Sequence, residues 1–280
     1  MTAAGSQRPR RGRRLQGSGL AGGLLLLLTL TPVLGAAWLA PYDPNALFTG
    51  PRLESPSRAH PLGTDLLGRD QLSRTLYGGR IALGVAAAVL SVSVGAGALV
   101  GAVAGYYGGW VDEAASAVLT MLLALPDLIL TIALVAVLGP SLWNMALALT
   151  LLGWVSYARL FRGAVLAARA QPFIEAARAA GAGDARIVAR HILPNVARPF
   201  LAFAGLRFAG VILSVATLSF LGLGVQPPTA DWGTMLSDAR PYFRSAPYLA
   251  LPPALCVVLV SLGANLLADA LLTAPDRRQL

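Results

Sequence analysis

The feature that most constrains this chain is a series of long apolar runs, at least five of which are long enough to cross a membrane as helices. A helix needs about 20 residues to span the roughly 30 Å hydrocarbon layer of a bilayer. Hydrophobic residues make up 56% of the sequence and charged residues only 12%, which is about half the charged fraction of a soluble domain. The sequence therefore predicts an all-α integral membrane protein.

The apolar runs and the polar segments between them predict six transmembrane helices. These cover residues 20–40, 81–105, 114–138, 141–157, 200–221 and 249–272. Residues 1–19 form a basic tail that is expected to be disordered, and residues 41–80 form a polar connector on the outer side. A cleaved signal peptide is the alternative for the first run, but its length and the runs that follow favour a retained anchor. The last two predicted segments are a five-helix core at 81–272 and a second tail at 273–280.

The positive charge of the chain comes entirely from arginine, because the sequence contains no lysine and still carries a net charge of +9. The arginines gather in the first tail and in an internal segment at 159–198, and they avoid the apolar runs. Basic segments next to membrane spans stay on the cytoplasmic side, so both termini and the internal segment are predicted to be cytoplasmic. Nucleic-acid binding is disfavoured by the same distribution.

Small residues on the second span predict close helix packing. Gly97, Gly101 and Gly105 recur every four residues, so one face of this helix is almost bare backbone and another helix can approach it closely. This span is therefore expected to lie inside the helix bundle.

The third span contains a helix-breaking residue, Pro126, followed by an acidic residue, Asp127. A charge inside a membrane is costly and is a mark of substrate paths and of partner contacts. Two interpretations stay open. Asp127 lines a wet cavity or contacts another helix, or it lies where a kinked helix is exposed to water. Pro126 and Asp127 are therefore candidates for the pathway or its gate.

Cysteine and histidine give no sign of a metal centre. The single cysteine, Cys256, lies inside an apolar run and is expected to pack as a small apolar side chain. The two histidines, His60 and His191, are far apart and lack nearby cysteines or paired acids, so no metal site is expected. No Ser, His and Asp set with a nucleophile elbow is visible, and no catalytic residue is predicted.

The basic internal segment contains a helix, a glycine break and a second helix. The first helix is predicted from Phe173 to Ala180, the break at 181–183, and the second helix from Asp184 as its N-cap to about Ile192, with Pro194 ending it. Two short helices outside the bilayer present a compact surface that suits docking into a groove on another protein. An amphipathic hairpin lying on anionic lipid is the alternative.

Residues 175–195, EAARAAGAGDARIVARHILPN, resemble the EAA loop of binding-protein-dependent ATP-binding-cassette importers. In that family the segment includes a coupling helix that inserts into a cleft of a cytoplasmic ATPase and transmits its closure to the membrane helices. We call residues 159–198 the coupling loop. The resemblance implies coupling roles for Glu175, Ala176, Ala177, Gly181, Asp184, Arg190, Leu193 and Pro194.

Three further motifs narrow the resemblance to the C-type permease of the dipeptide, oligopeptide and nickel group. They are HPLGTDLLGRDQLSRTLYGGR at 60–80, AGYYGGWVD at 104–112 and LSFLGLGVQPPTADWGTML at 218–236. The third contains Trp232, a further candidate for the pathway or its gate. The chain departs from the family at Val215, where relatives often carry an acid, and in its ending, NLLADALLTAPDRR.

The resemblance implies a multi-pass permease subunit in the inner membrane of a prokaryote, with the transmembrane fold of a type I importer. The implied substrates are di- or oligopeptides, with nickel or another small solute as the alternative. The implied partners are two cytoplasmic ABC ATPase subunits, a second related permease, an extracytoplasmic substrate-binding protein and membrane lipid.

Energy for import is expected from a separate polypeptide. A phosphate-binding P-loop needs a lysine, and the chain has none, so ATP and magnesium are expected on the ATPase subunits and no cofactor on this chain. A stand-alone secondary transporter is less favoured, because neither an inverted repeat nor a set of intramembrane charges is visible.

Overall fold

The computed structural model describes residues 8–273, and this part of the chain consists of helices and irregular connections without a strand. The helices are α1 (Arg8–Leu34), α2 (Ala36–Leu39), α3 (Gln71–Tyr107), α4 (Gly109–Leu123), α5 (Asp127–Leu138), α6 (Leu142–Arg169), α7 (Pro172–Ala179), α8 (Asp184–Ile187), α9 (Leu193–Phe220), α10 (Trp232–Ala239) and α11 (Leu251–Thr273). A π-helical turn at Val188–Ile192 joins α8 directly to α9. The predicted all-α class is confirmed.

Four segments among the described residues are long and apolar enough to cross a membrane. They are Gly17–Leu34, Gln71–Tyr107, Ala202–Phe220 and Pro247–Leu272. The helices α4 and α5 qualify together as a fifth, although they are bent by 82° at the break between them. α6 carries Arg159 and Arg162 in its second half and does not meet the same criterion, so a sixth span stays a prediction, although α6 packs along α3.

Two predicted boundaries differ from the structure. The basic tail was expected to be disordered, but Arg8 to Gly19 continue the helix of the anchor, because extending an existing helix adds a hydrogen bond for each residue fixed. α3 begins at Gln71 and not at residue 81, because the Asp70 carboxylate caps it by accepting the Ser73 N–H at 2.8 Å. The remainder of the predicted tails, residues 1–7 and 274–280, lies outside the described residues.

The predicted glycine face of α3 is in contact with α6. A Cβ atom at Gly97 would lie 2.5 Å from the Cβ of Tyr157, and one at Gly101 would lie 2.6 Å from the Ala158 carbonyl oxygen. At Gly105 it would lie 2.7 Å from the carbonyl oxygen of Arg162. The three glycines therefore let two helix backbones touch, and the prediction of close packing is confirmed.

The motif at 60–80 forms a compact, hydrogen-bonded segment at one end of the bundle, which we call the connector end. The His60 Nδ1 atom lies 2.8 Å from the Asp70 carboxylate, and the Arg69 Nε–H donates to Asp65 at 2.6 Å. All four side chains are buried, so Asp65, Arg69 and Asp70 depend on their partners for stability. The connector thus fixes the start of α3.

The motif at 218–236 packs against the same end of α3. Trp232 is fully buried, and its indole N–H donates to the Thr75 carbonyl at 2.9 Å. A Cβ atom at Gly79 would lie 2.6 Å from the Trp232 ring, so the glycine leaves room for the indole. The two motifs therefore form one structural joint between α3 and α10.

Asp231 is expected to make this joint sensitive to pH. Burial raises the pKa of its carboxyl to about 6, although the N–H groups of Gly233 and Thr234 hydrogen-bond it. The ordinary value is about 4, so the folded state binds the proton more tightly and loses stability as the pH rises from about 4 to about 6. Asp231→Asn keeps the cap and should be more stable than the wild type by roughly 1–3 kcal/mol above pH 6.

Thermal unfolding of the detergent-purified protein between pH 4 and pH 8 measures this effect. The difference between Asp231→Asn and the wild type should grow with pH up to about 6 and stay constant above it. A difference that is the same at every pH would show that the Asp231 carboxylate carries no burial cost.

Candidate functional site

The glycine break in the coupling loop ends α7 with a defined hydrogen-bonded turn. The N–H groups of Gly181 and Ala182 donate to carbonyls in the last turn of α7, at 2.9 and 3.1 Å. Gly181 has a φ angle of +81°, and nothing lies within 4 Å of a Cβ atom placed on it. This is the Schellman arrangement, in which the left-handed position favours glycine. The spacing of Gly181 from Glu175 is thus set by the length of α7.

Three isoleucines anchor the coupling loop to the bundle. Ile174, Ile187 and Ile192 are fully buried. They belong to a cluster with residues of α3, α6 and α9, which include Tyr106, Phe161, Val165, Val196 and Phe200. Burying a side chain of this size contributes about 1.5–3 kcal/mol, so the loop is fixed to three membrane helices by several kcal/mol.

The residues implied in coupling lie at exposed or half-buried positions of this anchored loop. Ala177 is half-buried, and the others are exposed: Glu175, Ala176, Gly181, Asp184, Arg190, Leu193 and Pro194. The structure therefore brings all of the predicted coupling residues into one short helix–turn–helix and leaves them accessible to a partner. Their role in coupling stays a prediction.

A polar clasp joins this loop to the end of α3. The Tyr106 hydroxyl donates to the Asp184 carboxylate at 2.5 Å, and the Arg178 guanidinium donates to the same hydroxyl at 3.4 Å. Arg178 also lies over the Tyr106 ring, 5.6 Å from its centre. Sequence reasoning did not select Tyr106, although the motif at 104–112 contains it. The clasp ties both helices of the loop to α3.

A second polar link follows in the same motif. Gly108 and Gly109 form the turn between α3 and α4, with φ angles of +69° and +56°. Asp112 follows this turn in α4. The Arg162 guanidinium of α6 donates to the Asp112 carboxylate through two nitrogens, one of them at 2.6 Å. A bidentate pair of this kind fixes orientation as well as distance. The motif at 104–112 therefore organises the end of the bundle that carries the coupling loop.

The second half of the coupling loop differs from the prediction in two details. Asp184 is the first residue of α8, and Gly183 holds the N-cap position, so the Asp184 side chain is free to serve the clasp. Pro194 does not end a helix but lies in the first turn of α9, where a missing N–H costs little. The chain runs from α8 through the π-helical turn into α9 without a break.

The predicted pathway residues Pro126 and Asp127 lie at the bend between α4 and α5. Pro126 is the residue before α5, and Asp127 is its first residue. The Asp127 carboxylate lies 3.9 Å from the guanidinium of Arg207 on α9, and both side chains line a cavity of about 130 Å³ inside the bundle. The structure therefore places Asp127 at a cavity and next to another helix, with 75% of its side chain exposed, so both interpretations stay open.

Sequence reasoning missed Arg207, because the arginines were taken to avoid the apolar runs. Arg207 is an exception that lies within the fifth run and within the span Ala202–Phe220. The signal was present in the sequence as a lone arginine inside an otherwise apolar segment, which is a mark of a functional position.

Two other predicted features lie away from this cavity. Trp232 is part of the joint between α3 and α10 and does not line the cavity, because its indole is fully enclosed there. Val215 is fully buried in an apolar cluster with Val89, Val135 and Leu218. An acid at position 215 would have no partner in such a cluster, so the departure from the family suits the apolar surroundings found here.

Metal-binding chemistry has little support in residues 8–273. No group of three histidine, cysteine, aspartate or glutamate side chains is placed there to hold an ion. Cys256 is half-buried and packs against an apolar cluster, with its thiol free.

The helices and the loop define a class of protein, namely a multi-pass membrane protein with an exposed loop fixed rigidly to several of its membrane helices. Residues 97–280 match the model of the family described as binding-protein-dependent transport system inner membrane component. The chain belongs to this family, and the resemblance inferred from the motifs is confirmed.

Individual relatives are similar over almost the whole chain. The glutathione transport system permease protein of Pectobacterium atrosepticum is 43% identical over 260 residues, 92% of this chain and 86% of the relative. That of Escherichia coli is 43% identical over 266 residues, 94% of this chain and 87% of the relative. The dipeptide transport system permease protein of Alkalihalophilus pseudofirmus is 40% identical over 252 residues, 90% and 81% of the two chains.

Proposed function

We propose that this permease subunit imports di- or oligopeptides that an extracytoplasmic binding protein delivers. The substrates named for its relatives, glutathione and dipeptides, support this class. Import of nickel or another small solute is the alternative. The low number of histidines in the chain does not separate these substrates, because a permease of this kind need not hold the specificity.

Two cytoplasmic ATPase subunits drive the import through the coupling loop. The observation that carries this step is the construction of the loop, with exposed residues on one side and three buried isoleucines on the other. A force applied to the exposed side passes to α3, α6 and α9, because the loop cannot move independently of them. Closure of the ATPases then shifts the bundle between inward-open and outward-open states.

The remaining parts of the complex follow from what this chain lacks. A P-loop lysine is impossible in a chain without lysine, so ATP and magnesium are assigned to the ATPase subunits. A second, related permease completes the pathway. Both termini lie in the cytoplasm, in keeping with the arginines of the first tail and the coupling loop.

Transport by the reconstituted complex tests the proposal. The permease, its partner permease, the ATPases and the binding protein are placed in vesicles, and uptake of a labelled dipeptide and of Ni²⁺ is measured in parallel. We expect the dipeptide to accumulate only when both ATP and the binding protein are present. Accumulation of Ni²⁺ without the peptide would exclude the peptide class, and uptake without ATP would exclude the ATP-driven mechanism.

A further inference from the structure

The cavity beside Asp127 is more polar than the interior of a membrane bundle requires. It lies between α3, α5, α6 and α9 and has a volume of about 130 Å³. Its polar lining residues are Ser93, Asp127, Thr131, Tyr157, Arg207 and Ser214. Polar groups inside a membrane protein are rare and mark substrate paths or binding sites, so the polar side chains of this cavity can bind a ligand.

Two of its hydroxyl groups are buried without a satisfactory hydrogen bond. Tyr157 and Ser93 are each only 1% exposed, and neither hydroxyl has a hydrogen-bond partner of acceptable geometry. The Arg207 guanidinium is a neighbour of the Tyr157 hydroxyl. A buried hydroxyl without a partner costs stability, so a shift of either side chain towards a ligand oxygen in the cavity would be favourable.

Arg207 is held only loosely. Its contact with Asp127 is a single one at 3.9 Å, and a hydrogen bond to the Ser156 hydroxyl is long at 3.5 Å. A guanidinium offers five N–H donors in a fork that matches a carboxylate. The Arg207 side chain is 38% exposed and the Asp127 side chain 75% exposed, so part of this donor capacity is available on the open side of the cavity.

The position of this pair indicates what the open side faces. Arg207 is the sixth residue of the span Ala202–Phe220, so it lies roughly 8 Å inside the end of that span that is nearer the coupling loop. Charged side chains at this depth do not face lipid and instead face water or protein. An open side that faces the interior of the assembled transporter would satisfy this requirement.

We propose that Arg207, with the Tyr157 hydroxyl beside it, binds the terminal carboxylate of a peptide as it passes through the membrane. This rests on the proposed function, because it assumes a peptide substrate. A bidentate arginine–carboxylate pair is stronger and better oriented than the single contact with Asp127. The cavity has room for about four water molecules at ~30 Å³ each, so it holds the end of a peptide and leaves the remainder in the central pathway.

Asp127 limits the strength of this site. When the substrate is absent, the Asp127 carboxylate lies 3.9 Å from one nitrogen of the Arg207 guanidinium. A passing carboxylate must displace it, and Asp127 replaces the substrate afterwards. A conducting site has to bind weakly enough to release its cargo, and an internal competitor gives this property without a conformational change.

Transport of two matched peptides by the reconstituted complex tests the proposal. One peptide has a free carboxylate at its C-terminus, and the other is identical except for a C-terminal amide. Both are supplied at saturating concentrations of loaded binding protein. Arg207→Gln should lower import of the free peptide roughly tenfold or more, whereas import of the amide should change less than about twofold. Arg207→Lys keeps the positive charge but not the planar group with several donors. Its import of the free peptide should therefore lie between that of the wild type and that of Arg207→Gln.

Cysteine labelling measures a rate that should not change if Arg207 has only a structural role. Ser214→Cys is made in a Cys256→Ser background, which removes the only native cysteine, and an anionic and a cationic thiol reagent of similar size are compared. Arg207→Gln should lower the ratio of the anionic to the cationic labelling rate several-fold, because it leaves Asp127 as the charge at the cavity. The free peptide should slow the labelling and the amide should not.

The outcomes separate this proposal from the one on which it rests. If the wild-type complex imports neither peptide, the peptide class itself is wrong. If it imports both, and Arg207→Gln lowers both equally or neither, Arg207 does not bind the carboxylate. An unchanged preference between the two thiol reagents in Arg207→Gln leads to the same conclusion.

Discussion

Replacing Gly181 with valine is expected to abolish import while leaving ATP hydrolysis by the assembled complex close to normal. Gly181 has a φ angle of +81°, and a β-branched residue in this region is a genuine outlier. The cost is about 1–2 kcal/mol for an ordinary side chain and more for a branched one. The turn between α7 and α8 should therefore rearrange, and the exposed residues on either side should lose their relative positions. Peptide uptake and ATP hydrolysis in the same vesicles measure the uncoupling.

Two control variants separate backbone strain from bulk. Asn tolerates the left-handed conformation, so Gly181→Asn should keep most of the import activity although it adds a side chain of similar size. Gly183 has an ordinary φ angle of −70° and open space around it, so Gly183→Ala should be mild. Equal losses of import in Gly181→Val and Gly181→Asn would show that the conformation of the turn is not what matters.

Replacing Gly101 with leucine is expected to prevent folding of the bundle. A Cβ atom at this position would lie 2.6 Å from the Ala158 carbonyl oxygen and 2.8 Å from the backbone nitrogen of Arg162. Both atoms belong to the backbone of α6, so neither can rotate away, and the two helices must separate. Overpacking costs about 1–3 kcal/mol in tolerant sites and more where backbones clash. The yield of folded, detergent-extracted protein should fall by roughly tenfold or more.

Gly95 on the same helix is the matched control. It is exposed, and nothing lies within 4 Å of a Cβ atom placed there. Gly95→Leu should be extracted and unfold like the wild type, as judged by gel filtration and thermal unfolding. A Gly101→Leu variant that behaves like Gly95→Leu would show that α3 and α6 do not approach as closely as described.

The main features of the fold could be predicted from the sequence because a membrane leaves few choices. Long apolar runs have to be helices, since backbone groups in lipid need internal partners. The regular spacing of Gly97, Gly101 and Gly105 also predicts which face of α3 is in contact. The first helix and the glycine break of the coupling loop were predicted to within a residue, because Gly181 falls at a natural helix boundary, but the predicted end of the second helix at Pro194 was wrong.

Other features depend on contacts between distant residues and could not be predicted. The start of α3 depends on a cap by Asp70, and the tolerance of Pro194 depends on its place in the first turn of α9. Trp232, in the motif at 218–236, was a candidate for the pathway, but a hydrogen bond to Thr75 holds it in the core. The pairing of Asp127 with Arg207 joins residues on two separate helices, and no local pattern indicates which helices meet.

The continuity of α9 with the coupling loop makes it a lever. Its 28 residues give a rod of roughly 40 Å with the loop at one end and Arg207 near its middle. A tilt of about 5° around the far end would move the loop end by roughly 4 Å and Arg207 by roughly 2 Å. A displacement imposed at the loop would thus reach the cavity at half its size, without any intermediate element to transmit it.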